Sequence, residues 1–330
     1  MAGRMKQSSN SQRRAGGDRV RRALVHGCGG VAGAAWSIPV LAELERRLGW
    51  DAREADVFVG TSVGGVLVAL LSAGVGVDRM LASQRGDADA RCWDHDRDTG
   101  GALPPLPGLR MPGARLVVEG LRGNVSAMTA ALGLLPDGRS DMRPFERLIE
   151  GVVPGEGWTP HPATWIVAVD AASGARVPIG RADAPAMPLH RAVCASYAVP
   201  AWCPSVTHAG RTYLDGGIAS PTSADLLIGS GVQEAIVLAP MASTHPDAPR
   251  SPLARIERRA RRTMTAIVDR EVRALEAAGI RVVRIEPSAR DLTAIGFNMM
   301  DPGRRRRVFE TSLATAPATV AAALERGRVD

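Results

Sequence analysis

The chain is almost without lysine: Lys6 is the only one among 41 basic residues, and aromatic residues make up just 4% of 330 positions. No stretch interleaves arginine with aromatic rings, so the stacking surface of a nucleic-acid binder is missing and no nucleic-acid partner is expected. The four cysteines, Cys28, Cys92, Cys194 and Cys203, form no CxxC pair and have no histidine at metal-ligand spacing. This argues against a disulfide framework and a zinc site, and it fits a reducing, cytoplasmic setting with no cofactor or metal. No apolar run reaches the ~18 residues needed to span a bilayer, so any lipid is met from the side. Residues 1–21 are polar and arginine-rich with no apolar stretch behind them, and they read as a flexible basic tail rather than a signal peptide.

What is present suits a globular body. Hydrophobic residues reach 45%, enough to bury a large core over residues 22–330, read here as one domain. The formal net charge of +7 favours anionic partners and is compatible with peripheral contact at an anionic membrane face. Arginines concentrate at Arg255, Arg258, Arg259, Arg261 and Arg262, and again at Arg304 to Arg307. Both runs read as solvated helix faces.

Short β-branched runs alternate with longer helical ones, which predicts βα units and a mostly parallel sheet covered on both sides, a three-layer αβα sandwich. Strands are predicted at Arg22 to His26, Val57 to Val59, Thr164 to Val169, Thr212 to Leu214, Glu234 to Leu238 and Arg281 to Ile285. Helices are predicted at Ala34 to Leu48 with a kink at Pro39, at Val63 to Ser72, at Leu189 to Ala198 and from about Leu253 to Ala278. The last should bury Leu253, Ile256, Ala260, Met264, Ile267 and Leu275. Residues 75–138 read as an excursion or lid: 75–113 lack a clear period, and Val117, Leu121, Val125, Met128, Leu132 and Leu135 then mark one helical stripe packed on the body.

Three segments carry chemistry. Gly60-Thr61-Ser62-Val63-Gly64 is a GxSxG pentapeptide between a strand and a helix, the setting of a nucleophile elbow. There a serine is held out of the sheet in a strained turn, flanked by glycines because a Cβ would crowd the backbone. Gly27-Cys28-Gly29-Gly30 ends the first strand before a helix, where backbone N–H groups converge on an anion. It fits a dinucleotide fingerprint poorly, and an oxyanion hole suits it better beside a GxSxG elbow. Leu214-Asp215-Gly216-Gly217 ends a short strand with a carboxylate; taken alone it is an ordinary Asp-Gly turn.

In this order the three segments resemble the patatin-like phospholipases, with a glycine-rich turn, a GxSxG elbow and a DGG aspartate. Ala195-Ser196-Tyr197-Ala198-Val199-Pro200 matches the family's serine-x-alanine-x-proline segment before the aspartate strand. The resemblance runs from about residue 22 to 230. It implies Ser62 as nucleophile, Asp215 as base, the amides around Gly29 and Gly30 as oxyanion donors and a lipid or acyl ester as substrate. Cys28 and Ala32 depart from the family pattern, where a glycine and a basic residue are common, and Pro221 follows Asp215 closely.

The implied reaction is a Ser-Asp dyad acting through an acyl-serine, of phospholipase A, lysophospholipase or esterase type. A histidine triad is disfavoured: His245, the last of six histidines, sits in a polar turn, and His26, His190 and His208 read as structural. Cys28 reads as a small buried residue rather than a reactive thiol. Two other readings stay open on sequence alone, a non-catalytic lipid- or membrane-binding protein on the same fold and an acyltransferase using the same acyl-enzyme.

Overall fold

The computed structural model describes residues 20–87, 93, 101–245, 247–249 and 251–327. Nearly all of the basic tail, and Cys92, therefore lie outside the described residues. Eight strands form one sheet: β1 Arg22–His26, β2 Val57–Thr61, β3 Thr164–Asp170, β4 Arg176–Ile179, β5 Val206–His208, β6 Arg211–Asp215, β7 Glu234–Leu238 and β8 Arg281–Ile285. The order is β5-β6-β3-β2-β1-β7-β8, with β4 also pairing β3. The strands from β3 through β2, β1 and β7 to β8 are mutually parallel, whereas β4 and β6 run antiparallel to β3.

Side chains alternate across this sheet as the pleat requires. Leu24, Phe58, Ile166, Ile236 and Val283 enter the larger core, and Ala23, Val25, Val57, Val59, Val167, Ala235 and Val237 enter a smaller one. The larger core is closed by α1 Gly30–Leu48, α2 Val63–Ser72, α7 Leu189–Ser196 and α10 Arg305–Arg326. On the other face Leu275 of α8 Pro252–Ala277 packs with Ala224 and Leu227 of a short 3-10 turn. The architecture is a three-layer αβα sandwich with a mostly parallel sheet. α2 spans its predicted residues, while α1 starts earlier than predicted and runs through Pro39.

Two expectations need correction. The stripe from Val117 to Leu135 is two short helices, α4 Arg115–Leu121 and α5 Ala127–Leu132, not one. The chain turns between them at Gly123, whose φ of 77° belongs to the left-handed region that glycine enters freely. They follow α3 Val77–Arg85 and precede α6 Arg143–Glu150. Leu116 of α4 is buried against Val169, Leu214 and Ile218, but Leu121 is 86% exposed.

The buried face of α8 also differs from the expected one. Leu253 and Ile256 are exposed, and Arg258, Arg261, Thr265, Val268, Glu271 and Leu275 face inward. Polar partners allow this. Arg258 pairs with Asp247 at 2.8 Å and donates to the Leu292 carbonyl at 2.8 Å, and Arg261 donates to the Pro240 carbonyl at 2.6 Å. Glu271 accepts from Ser220 Oγ and Thr222 Oγ1, and from the Ala224 amide at 3.1 Å. Paired and hydrogen-bonded, these charges escape the penalty that keeps lone ones at the surface. In the second run Arg305 is buried as well, leaving Arg255, Arg259, Arg262, Arg306 and Arg307 as the solvated members.

Candidate active site

The site forms where β2 and β6 end against β3. Val167 pairs with Thr61 of β2 and Pro178 of β4; the next residue, Ala168, pairs with Val177 of β4 and Asp215 of β6. A strand residue has two edges, and β4 takes one of them at both positions. Thr61 and Asp215 therefore meet the other edge one residue apart, which brings Ser62 and Asp215 together from 153 positions apart in sequence.

Ser62 has φ 58° and ψ −124°, a strained backbone for a residue with a Cβ. The surroundings fix it there. Its amide donates to Ser196 Oγ at 2.8 Å, and that hydroxyl in turn donates to the Val167 carbonyl at 2.6 Å. A Cβ at Gly64 would overlap the His26 carbonyl, so α2 can approach β1 this closely only with glycine there. Ser196 is fully buried, and nothing in the pattern of its segment marks this bridging role. Replacing Ser196 with alanine strands the buried Ser62 amide, at a cost of about 1–3 kcal/mol. Urea unfolding should register that loss, and ester kinetics should show kcat lowered roughly tenfold with KM little changed. Unchanged stability would mean that Ser196 does not hold the turn.

Asp215 is 4% exposed. Its Oδ1 accepts the Gly217 amide at 2.6 Å, while buried Oδ2 closes no hydrogen bond of standard geometry with a described residue. The Ser62 hydroxyl is still near enough to favour the carboxylate, as the Gly217 amide does. Burial outweighs both and lifts the carboxyl from 3.8 to about 7. An open, buried acceptor that titrates near neutrality can take a proton from an adjacent hydroxyl.

The glycine turn closes the site from the β1 side. The Cys28 amide is taken by the Pro221 carbonyl at 2.8 Å and the Ala32 amide by the Met299 carbonyl at 3.0 Å, but those of Gly29 and Gly30 meet no acceptor among the described residues. They lie at the N-terminus of α1, whose dipole favours negative charge. Gly30 needs its φ of 57°, and a Cβ there would press on the Met299 carbonyl. Cys28 faces Gly217, linking this turn to the aspartate loop. Burial and nearby Asp215 push its thiol far above the usual range, which removes it as a nucleophile. Ala32 brings no charge, yet a buried cation stands behind the turn: Arg261 holds Pro240, and the Pro240 ring packs on Gly29 and Gly33.

The histidines do not join this group. Burial lowers His26 to about 4, so it stays neutral, and its Nδ1 lies 3.0 Å from the Gly27 carbonyl. His161 contacts the Ala55 carbonyl at 2.8 Å and His208 the Ala186 carbonyl at 3.0 Å, while His245 lines an open cleft with Asp247 and Arg258. No histidine side chain among the described residues hydrogen-bonds Ser62 or Asp215. Among the described residues there is likewise no cluster of metal-ligating side chains.

An apolar pocket of about 80 Å³ runs beside the elbow, lined by Val31, Ile38, Val63, Leu67, Phe145 and Tyr197 among others. A second pocket of about 200 Å³ shares Val31, Phe145 and Tyr197 with it and is also lined by Leu103 and Pro105. Sharing these walls, the two pockets adjoin as one groove. No described helix is long and apolar enough to cross a membrane.

A search of curated proteins gave no match. The crystal structure of VipD from Legionella pneumophila is similar at 12% identity and a TM-score of 0.44, covering 92% of this chain and 67% of that one. The family model described as patatin-like phospholipase matches residues 24–228, which hold the glycine turn, the GxSxG elbow and the DGG aspartate. With that match over more than half its length, the chain belongs to the patatin-like phospholipases, a family of lipid acyl hydrolases.

Proposed function

We propose that the protein hydrolyses acyl esters of lipids through a Ser62–Asp215 dyad, as a serine esterase of phospholipase A or lysophospholipase type. Ser62 Oγ attacks the ester carbonyl while its proton passes to Asp215 Oδ2. The carbonyl oxygen becomes an anion held by the Gly29 and Gly30 amides at the head of α1. As the C–O bond breaks, Asp215 returns the proton to the leaving alcohol, which leaves an acyl-serine. Water repeats the sequence, giving up its proton to Asp215 and releasing the acid. No step calls on a cofactor. The observation that carries this reading is a serine on a strained elbow beside a buried carboxyl that titrates near 7.

The extent of the unit is part of the proposal. Residues 22–330 act as one hydrolase domain, supported by β7, β8, α8 and α10 extending the same sheet and core beyond residue 228. From the segment 75–138, α3 contributes Met80, Ser83 and Gln84 to the wall of the groove, and Leu103 and Pro105 line it further out.

The test is the pH dependence of turnover on a soluble short-chain ester. Only the ionised base accepts a proton, so kcat/KM should rise about tenfold per pH unit below pH 6 and level off above about pH 8, with a midpoint near 7. A profile flat from pH 5 to 9 would remove Asp215 from the role of base.

A further inference from the structure

We propose that the segment from Leu103 to Met111 is a docking strap that seats the groove mouth on the surface of an anionic lipid bilayer. This rests on the reading of the substrate as a lipid ester. Leu103, Leu106, Leu109 and Met111 are 81%, 86%, 97% and 53% exposed, four large apolar side chains in nine residues. A soluble surface scatters such residues singly; a contiguous group marks a contact.

The strap is held out by its own backbone. The Gly108 amide donates to the Asp137 carbonyl at 2.7 Å, and the Asp137 amide donates back to the Arg110 carbonyl at 2.7 Å. Pro104, Pro105, Pro107 and Pro112 stiffen the rest. At its other end the Ala102 carbonyl accepts from Asn298 Nδ2 at 2.7 Å. Pinned at these points, the leucines cannot fold back onto the body, so they are presented outward at little cost in ordering.

Charge and position select the occupant. Arg110, Arg115 and Arg139 are exposed beside the leucines, and none has an acidic partner among the described residues. Among the described residues the nearby acids have partners: Glu119 pairs with Arg122, Asp141 with Arg143, and Asp137 accepts from the Ser205 amide and hydroxyl. Apolar side chains among unpaired arginines suit an anionic lipid interface, where acyl tails take the first and headgroups the second. Leu103 and Pro105 also line the groove that leads to Val31 and Tyr197. A lipid leaving the bilayer at the strap would enter that groove without crossing water.

The experiment uses the full chain with vesicles of phosphatidylcholine alone and of phosphatidylcholine with phosphatidylglycerol. Leu106→Ser/Leu109→Ser should lower partitioning onto the anionic vesicles at least tenfold, because two buried side chains are lost. Arg110→Gln/Arg115→Gln/Arg139→Gln should lower it too and weaken its dependence on salt. Both variants should turn over a soluble short-chain ester at the wild-type rate, since none of these residues lines the groove. Wild-type partitioning by the leucine variant would overturn the proposal. So would a wild-type chain that ignores vesicles but self-associates through these leucines, as read by sedimentation. A chain that binds vesicles through the strap but never cleaves the soluble ester would instead defeat the hydrolase reading and leave the strap standing.

Discussion

Alanine at Ser62 is expected to reduce ester turnover by ~10^4-fold or more, because the bond-forming oxygen is gone and the amides have no developing anion to stabilise. Its effect on folding should be small and revealing. The backbone strain at φ 58° is imposed by the elbow, not by the hydroxyl, so alanine inherits it. Glycine at the same position does not, and Ser62→Gly should gain about 1–2 kcal/mol in urea unfolding while being equally inactive. If Ser62→Gly were no more stable than Ser62→Ala, the turn would not be strained as described. A Ser62→Ala protein that retained even a tenth of wild-type turnover would take the nucleophile's role from Ser62.

Asp215→Asn should abolish turnover and stabilise the protein at the same time. Its carboxyl titrates near 7 in the fold against 3.8 as the ordinary value. Between those pH values the folded state holds a proton that the unfolded state has released, so stability falls as pH rises through the window. The full cost is present above about pH 7 and absent below about pH 4. A gap of about three pH units at ~1.4 kcal/mol each puts the cost on the order of 4 kcal/mol. Asparagine never ionises and can still accept the Gly217 amide through its carbonyl oxygen. The variant should therefore melt several degrees above wild type at pH 8, with the difference vanishing near pH 4. His245→Ala should leave turnover largely intact. The reverse pattern, an active Asp215→Asn and an inactive His245→Ala, would replace the dyad with a histidine triad.

The sequence makes the parallel strands legible because both faces of such strands are buried. Leu24-Val25, Val57-Phe58-Val59 and Ile236-Val237 stand out as unbroken apolar runs between turn signals. The elbow helix was equally plain, since ten apolar or small residues follow Ser62. β4 and β5 were missed: they are short, and β4 carries Pro178, which reads as a break. The buried face of α8 was misread for a deeper reason. Hydropathy places Arg258, Arg261 and Glu271 outside, and only the tertiary positions of Asp247, Pro240 and Ser220 make their burial affordable. The adjacency of Ser62 and Asp215 follows from the register of β3 against β2 and β6, a property of pairing that neither motif records.

The central claim is a single hydroxyl whose reactivity comes from a buried acid beside it. A serine-directed fluorophosphonate, followed by peptide mapping, tests it most directly. The account predicts one adduct, on Ser62, forming faster as pH rises through 7 and far more slowly in Asp215→Asn. A folded wild-type chain that stays unlabelled, or that carries the label on another residue, would contradict it.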